Sequence, residues 1–346
     1  MGPVGLVLTA VVSPVAVPDF APIAATLTAW PAHPDEWPGQ LLAGARECVA
    51  SMVRALLSEP GAEEIVVLVR DAVAEASARA ALGGSARLLP ARYGDIWVRD
   101  TGPILVEDTG RLEARCFEVN GWGGKFDFPD DHGLASRIAV ELELPHRECP
   151  WVLEGGAIDC DGLGTVLTTE QCLLNRNRNG NVLRQQVHAW LARDLGARKV
   201  IWLGRGLVGD HTDGHVDNLA RFIEPGVIAF TEPNAGEPNT EIHRAVENVL
   251  RDEHDAGGNP IDLVPVPSPG VVAGPDGHPM AASYLNFVIG QAAVVVPTYG
   301  TRDAEALTAL QPHFDKPVIG VRSDALLAGG GSFHCITKAI PLGARP

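Results

Sequence analysis

The sequence predicts a mixed α/β protein made of repeating modules in one domain. Three observations support this. Short apolar runs of strand length alternate with helix-periodic segments along the whole chain. Some neighbouring runs are joined by tight turns and others by a helix, so hairpins and crossovers both occur. A unit of strands plus one helix returns about every 60 to 70 residues, which leaves room for about five modules. No low-complexity linker divides the 346 residues.

The elements follow in order. Residues 1–18, MGPVGLVLTAVVSPVAVP, are apolar but lack a positive leading segment, and Pro3 and Pro14 interrupt them. They predict a disordered lead-in or an edge strand, ahead of a single catalytic domain over 19–346. Residues 39–58 place Leu41, Cys48, Val49, Met52 and Leu56 near one side of a helix. IVVLVR at 65–70 reads as a buried strand, and 71–82 as the helix that returns from it. Strands are expected at 104–107 and 112–119, a helix at 184–195, and strands at 200–203 and 227–230. A helix over 240–253 leads to a strand at 261–266. YLNFVIG and AAVVVPTYG form a hairpin, followed by a helix at 302–311 and the strand VIGV at 318–321.

Composition excludes several classes. With 43 acidic against 27 basic residues the formal charge is -16, which argues against a nucleic-acid binder. The charge suits a cationic ligand, as it suits any soluble protein. Six cysteines, at 48, 116, 149, 160, 172 and 335, form no CxxC pair. Unclustered thiols fit a reducing cytoplasm better than a disulfide framework. No run of 18 apolar residues free of turn-formers offers a membrane span. A homo-oligomer is compatible with this composition.

Four glycine-rich segments carry candidate chemistry. YGDIWVRDTGP at 93–103 holds Asp95, Trp97, Arg99 and Asp100 before a turn, and Asp100 is either a turn cap paired with Arg99 or a site residue. NGWGGK at 120–125 sets Trp122 among glycines, as a packing residue or against a ligand. LEGGAIDCDG at 153–162 puts Glu154 before two glycines that allow close backbone approach. GDHTDGHVDN at 209–218 holds three aspartates and two histidines, so metal binding competes with proton transfer there. It lacks the spacing of a metal helix. On an extended strand, His215 and Asp217 share a side. GGGSFHCIT at 329–337 places Cys335 behind three glycines, where they form a turn or let a nucleophile approach a flat group. His334 then points away, to packing or a hydrogen bond. One thiol, one base and three carboxylates suit a planar cation such as a guanidinium, which carboxylates grip two donors at a time.

DIWVRDTGP, NGWGGK, LEGGAIDCDGLGTVLTTEQCLLN, GDHTDGHVDN and GGGSFHCIT, in this order, resemble the agmatine deiminase family, which is grouped with the bacterial-type peptidylarginine deiminases. The resemblance implies a five-bladed α/β propeller with pseudo-fivefold symmetry, pentein-like, around a central site. It implies hydrolysis of agmatine to N-carbamoylputrescine and ammonia, without metal or organic cofactor. Carried over by position, Cys335 is the nucleophile and His215 the general acid/base. Asp100 and Asp217 grip the guanidinium, Glu154 contacts His215 and the substrate, and Trp97 and Trp122 line the pocket. The family usually shows two glutamines after HCIT, where this chain has Lys338 and Ala339. Rival readings are deimination of arginine or peptidyl-arginine, an amidinotransferase with the same residues, and a non-catalytic propeller that binds without turnover.

Overall fold

The computed structural model describes residues 14–274 and 277–343, and its strands form five separate sheets. All five share one plan: an antiparallel pair, then a helical crossover to a parallel strand. In the first, Ile104–Asp108 and Arg111–Glu118 pair, and helix Leu134–Glu141 leads to His146–Val152. The second uses Ile158–Cys160, Thr165–Thr169, helix Arg184–Leu195 and Lys199–Leu203. The third uses Ala220–Glu224, Val227–Thr231, helix Thr240–Arg251 and Asp262–Val266. The fourth uses Val288–Ile289, Val294–Thr298, helix Asp303–Leu310 and Val318–Arg322. The fifth joins distant segments. Thr337–Pro341 runs antiparallel to Ile23–Ala29, and helices Gln40–Leu56 and Ala72–Leu82 cross to parallel strands Glu64–Val69 and Arg87–Pro90.

Local chemistry explains the boundaries. The Asp71 carboxylate accepts from the N–H groups of Val73 and Ala74 and so starts helix Ala72–Leu82. Gly196, in the left-handed region at φ 70°, ends helix Arg184–Leu195. Helix Gln40–Leu56 buries Val49, Met52, Val53 and Leu56 in the same apolar cluster as Val66 and Leu68. Glu64–Val69 is covered on both faces, which is why it reads as an unbroken apolar run.

Of the lead-in, residues 1–13 lie outside the described residues. Val15–Ala16 is an edge strand, antiparallel to Ile104–Asp108. No helix among the described residues is long and apolar enough to cross a membrane.

Candidate active site

The sequence-predicted carboxylates, His215 and Cys335 occupy equivalent places in their modules: each lies in the segment just ahead of the antiparallel pair. Asp100 lies on the short helix Val98–Thr101, ahead of the first sheet. Glu154 caps the turn Gly155–Ala157, ahead of the second. His215 caps the turn Val216–Asn218, which carries Asp217, ahead of the third. Cys335 sits in the turn before Thr337–Pro341 of the fifth. The fourth module supplies Asn286, which the sequence reading missed. Its side-chain N–H donates to Cys335 Sγ at 3.2 Å, and its Oδ1 accepts from the N–H of His334 at 3.0 Å.

Two expectations of extended backbone need correction. His215 and Asp217 lie on a 3₁₀ turn, where the non-helical His215 (φ -58°, ψ 140°) redirects its side chain. Phe333 to Ile336 also form a turn, closed by Thr337 N–H to the His334 carbonyl at 3.1 Å. His334 therefore packs inward. Its Nδ1 lies 2.7 Å from Asp217 Oδ2 and its Nε2 2.7 Å from Asp19 Oδ2, so it ties one carboxylate to another.

The side chains converge through the two glycines after Glu154. A Cβ on Gly156 would lie 2.7 Å from His215 Nδ1, 2.8 Å from Asp100 Oδ1 and 3.0 Å from Asp217 Oδ2. Those three groups therefore surround one small space. Each carboxylate is anchored. Asp100 accepts from Gly156 N–H at 2.9 Å and Trp122 Nε1–H at 2.8 Å. Glu154 Oε1 accepts from the buried Arg178 at 2.6 Å. His215 Nδ1 is 3.6 Å from Asp100 and Nε2 is 4.0 Å from Glu154, so proximity without a hydrogen bond replaces the expected Glu154 contact. Both His215 ring nitrogens, Glu154 Oε2 and Asp217 Oδ1 are buried without a hydrogen-bond partner among the described residues. Such groups are costly unless something donates to or accepts from them.

Charge follows from this crowding. Burial opposes a charged His215, but Asp100, Cys172 and Glu154 outweigh it and hold its pKa well above 6.5. Burial also works against the Asp217 carboxylate, yet the His334 hydrogen bond leaves it below the ordinary range. Burial, then Asp217 and Asp100, push the Cys335 thiol well above its ordinary 9.0. Relief of that carboxylate field would favour the thiolate.

Aromatic walls complete the site. A cavity of about 230 Å³ over Cys335 is lined by Trp97, Asp100, Trp122 and Phe126, with Glu36 and Asp95. A second cavity, about 340 Å³, shares Asp100 and Trp122 and reaches Glu154. Asp95 accepts from both Trp37 and Trp97 indoles at 2.9 and 2.8 Å, and burial raises its pKa to about 6. Trp122 adopts φ 52°, a left-handed conformation rare for so bulky a residue. Strain of this kind persists only where surroundings over-determine it; here the Asp100 hydrogen bond and the edges of Phe126 and Phe128 do so. The glycines before Cys335 prove to have a packing reason. Gly330 has φ 116°, and a Cβ on Gly331 would meet Trp97 at 2.7 Å and Cys335 Sγ at 3.1 Å. Lys338 is buried away from this cavity, 3.2 Å from the Arg99 carbonyl.

The sequence also missed Cys172. Its thiol, Glu154 and His215 offer ligand atoms within 4.8 Å of one another, and all three residues are buried.

A thiol, an imidazole and three carboxylates around a flat space define a site for nucleophilic chemistry on a planar cation. The model of the Porphyromonas-type peptidyl-arginine deiminase family matches residues 15–341, and the chain belongs to that family. It is 37% identical to the agmatine deiminase of Stutzerimonas stutzeri, covering 93% of this chain and 94% of that one. Its fold superposes on the agmatine deiminase of Enterococcus faecalis with a TM-score of 0.90 at 30% identity, over 96% of both chains. It superposes on the C. jejuni agmatine deiminase with substrate bound at a TM-score of 0.86 and 25% identity, over 96% and 97% of the two chains.

Proposed function

We propose that the protein is an agmatine deiminase, a hydrolase of C–N bonds in linear amidines that converts agmatine to N-carbamoylputrescine and ammonia. One observation separates agmatine from arginine. The cavity over Cys335 carries Glu36, Asp95 and Asp100, and none of its described lining residues is Lys or Arg. The arginines able in sequence to receive an α-carboxylate are elsewhere engaged. Arg99 pairs with Asp19 at 3.0 Å, Arg178 with Glu154 and Asp213 at 2.6 and 2.7 Å, and Arg322 with Asp324 at 2.6 Å. Arg176 bonds Asn181, and Arg205 is exposed outside the cavity lining.

In this reading the guanidinium lies flat between Asp100 and Asp217, with Glu154 Oε2 taking a further N–H and Trp97 and Trp122 as walls. Its positive charge offsets the carboxylates that suppress the Cys335 thiolate, so substrate binding itself activates the nucleophile. Asn286 donates to the sulfur and favours the anion. Cys335 loses its thiol proton to solvent as the cation binds, and the thiolate Sγ attacks the guanidinium carbon. Protonated His215 gives its proton to the departing nitrogen, and ammonia leaves a covalent S-alkylthiouronium. His215 then takes a proton from water, the hydroxyl adds to the same carbon, and the C–S bond breaks to return the thiolate and release the ureido product.

The five equivalent sheets support a five-bladed α/β propeller with pseudo-fivefold symmetry, in a single domain over 19–346. Six free cysteines support a reducing cytoplasm. The only partner this reading requires is the small cationic guanidine; nucleic acid, membrane and cofactors play no part in it.

The test measures ammonia release from agmatine, free arginine and an arginyl peptide at equal ionic strength, without amine acceptor. An unmatched carboxylate costs about 1.5–3 kcal/mol, so kcat/KM for agmatine is expected to exceed that for arginine by at least about tenfold. Equal rates or a preference for arginine would move the assignment to another guanidine, and turnover that needs an added amine and releases putrescine and a new guanidine instead of ammonia would make the protein an amidinotransferase.

A further inference from the structure

The structure assigns to Glu154, Cys172 and His215 a binding site for a thiophilic divalent cation such as zinc, whose occupation switches the enzyme off. Three observations support it. The three residues come from separate segments, yet their ligand atoms lie within 4.8 Å of one another. They supply a carboxylate, a thiol and an imidazole, the mixed set that zinc takes. Glu154 Oε2 and His215 Nε2 are buried, 4.0 Å apart and without a hydrogen-bond partner among the described residues.

Around a tetrahedral zinc with bonds of about 2.0–2.3 Å, ligand atoms stand about 3.3–3.6 Å apart. The pair at 4.0 Å thus needs to close by well under an ångström. Glu154 is already fixed through its other oxygen by Arg178, so Oε2 stays aimed. The cavity of about 340 Å³ reaches Glu154, and its wall also carries Asp127 and Asp131. A metal ion needs Cys172 as the thiolate and His215 as the neutral imidazole, so binding releases both the thiol and the imidazolium proton to solvent and leaves no redox change. The fourth position is left for water.

Cys172 is not one of the residues that handle substrate, whereas Glu154 and His215 are. Zinc and guanidine therefore compete, and metal-bound His215 cannot carry a proton. The binding stands apart from the deiminase reading, while the inhibition rests on it.

The experiment separates the two. In a Cys335→Ala background, which removes the rival thiol and all turnover, cobalt is added as a spectroscopic zinc probe. A sulfur-to-cobalt charge-transfer band is expected, and zinc is expected to displace the cobalt. Changes outside the ligand shell alone cost about 10–100-fold in metal affinity, so near-isosteric Cys172→Ser is expected to abolish the band and weaken zinc by at least about 100-fold. Glu154→Gln in the same background is expected to weaken zinc with the band position retained, and circular dichroism checks that each variant is folded. In the unaltered enzyme, zinc inhibition should yield to excess agmatine and to EDTA. A cobalt–thiolate band that survives Cys172→Ser, or one present in the wild type and lost with Cys335 alone, would overturn the assignment. So would zinc affinity indifferent to both Cys172 and Glu154. Cobalt binding in the variant, together with no agmatine hydrolysis by the unaltered metal-free enzyme, would instead overturn the deiminase reading and keep the metal site.

Discussion

Gly156→Ala tests the whole geometry with one methyl group. Ordinary contact begins near 3.4 Å, and the new Cβ would sit 2.7 Å from His215 Nδ1, 2.8 Å from Asp100 Oδ1 and 3.0 Å from Asp217 Oδ2. The shortfalls are therefore 0.7, 0.6 and 0.4 Å (3.4 minus each distance). Both carboxylates are anchored. Asp100 is held by Gly156 N–H and Trp122, and Asp217 by His334. The backbone itself tolerates alanine, because Gly156 is not among the residues with positive φ. Forcing a methyl into a packed site costs about 1–3 kcal/mol of stability, which is a shift of a few degrees in a chain of this length. The functional cost is larger, because the methyl occupies the space assigned to the guanidinium and spreads its ligands. A displacement of about 1 Å costs about 100-fold, so kcat/KM for agmatine should fall by at least about that factor. Ammonia release at several agmatine concentrations, beside a thermal melt, reads both effects. A variant within threefold of wild type and unchanged in Tm would refute the convergence of His215, Asp100 and Asp217 on one substrate-sized space.

Cys335→Ala should abolish ammonia release with little change in Tm, and mass spectrometry of quenched wild type should show an adduct on Cys335; retention of more than a few per cent activity would exclude it as nucleophile. His215→Gln should lose about 10²–10⁴-fold in rate, measured by single-turnover ammonia release, and should accumulate the Cys335 adduct because water is no longer activated. Lys338→Gln addresses pH. Burial first, then Arg99, depress the Lys338 pKa to about 7 from 10.5, so the folded state binds this proton more weakly than the unfolded chain. The destabilisation is complete below about pH 7 and fades as pH rises toward 10.5, at about 1.4 kcal/mol per pH unit. Denaturant titrations at pH 7 and 9 should show the variant's stability advantage shrinking with pH, and a pH-independent difference would contradict a buried, neutralised lysine.

Much of this was legible in the sequence for identifiable reasons. Helix Arg184–Leu195 and strand Glu64–Val69 stood out because periodicity and continuous burial leave local marks. Three strands left none. His146–Val152 lies at a sheet edge with His146, Arg147, Glu148 and Pro150 exposed, so it shows neither alternation nor an apolar run. Ala220–Glu224 hides Arg221, and Thr337–Pro341 hides Lys338, both buried basic residues whose satisfaction is tertiary. Arg221 is held by Asp19 and Asp159, at 2.8 and 2.6 Å, from two other parts of the chain. The five site residues were visible because polar chemistry amid glycines is conspicuous. Asn286 and Cys172 sit in the apolar stretches YLNFVIG and EQCLLN and have no such marker. Asn286 becomes findable only through the equivalence of the modules, and Cys172 only through its approach to His215.

The turn that carries Cys335 hangs on a strand whose partner is made first. Thr28 accepts Thr337 as its register partner, and its hydroxyl donates to the Ile336 carbonyl at 2.7 Å across a separation of 308 residues. On a ribosome adding about 5–20 residues per second, Ile23–Ala29 therefore waits tens of seconds with one edge unpaired. During that interval His215, Glu154, Asp100 and Asp217 have already been made, but Cys335, the proposed nucleophile, has not. The growing chain is thus catalytically silent until its final strand docks. The same unpaired edge is a template for wrong partners, so nascent-chain aggregation should fall mainly on this interval, and variants that weaken the Thr28–Ile336 contact should lower yield before they lower activity per folded molecule.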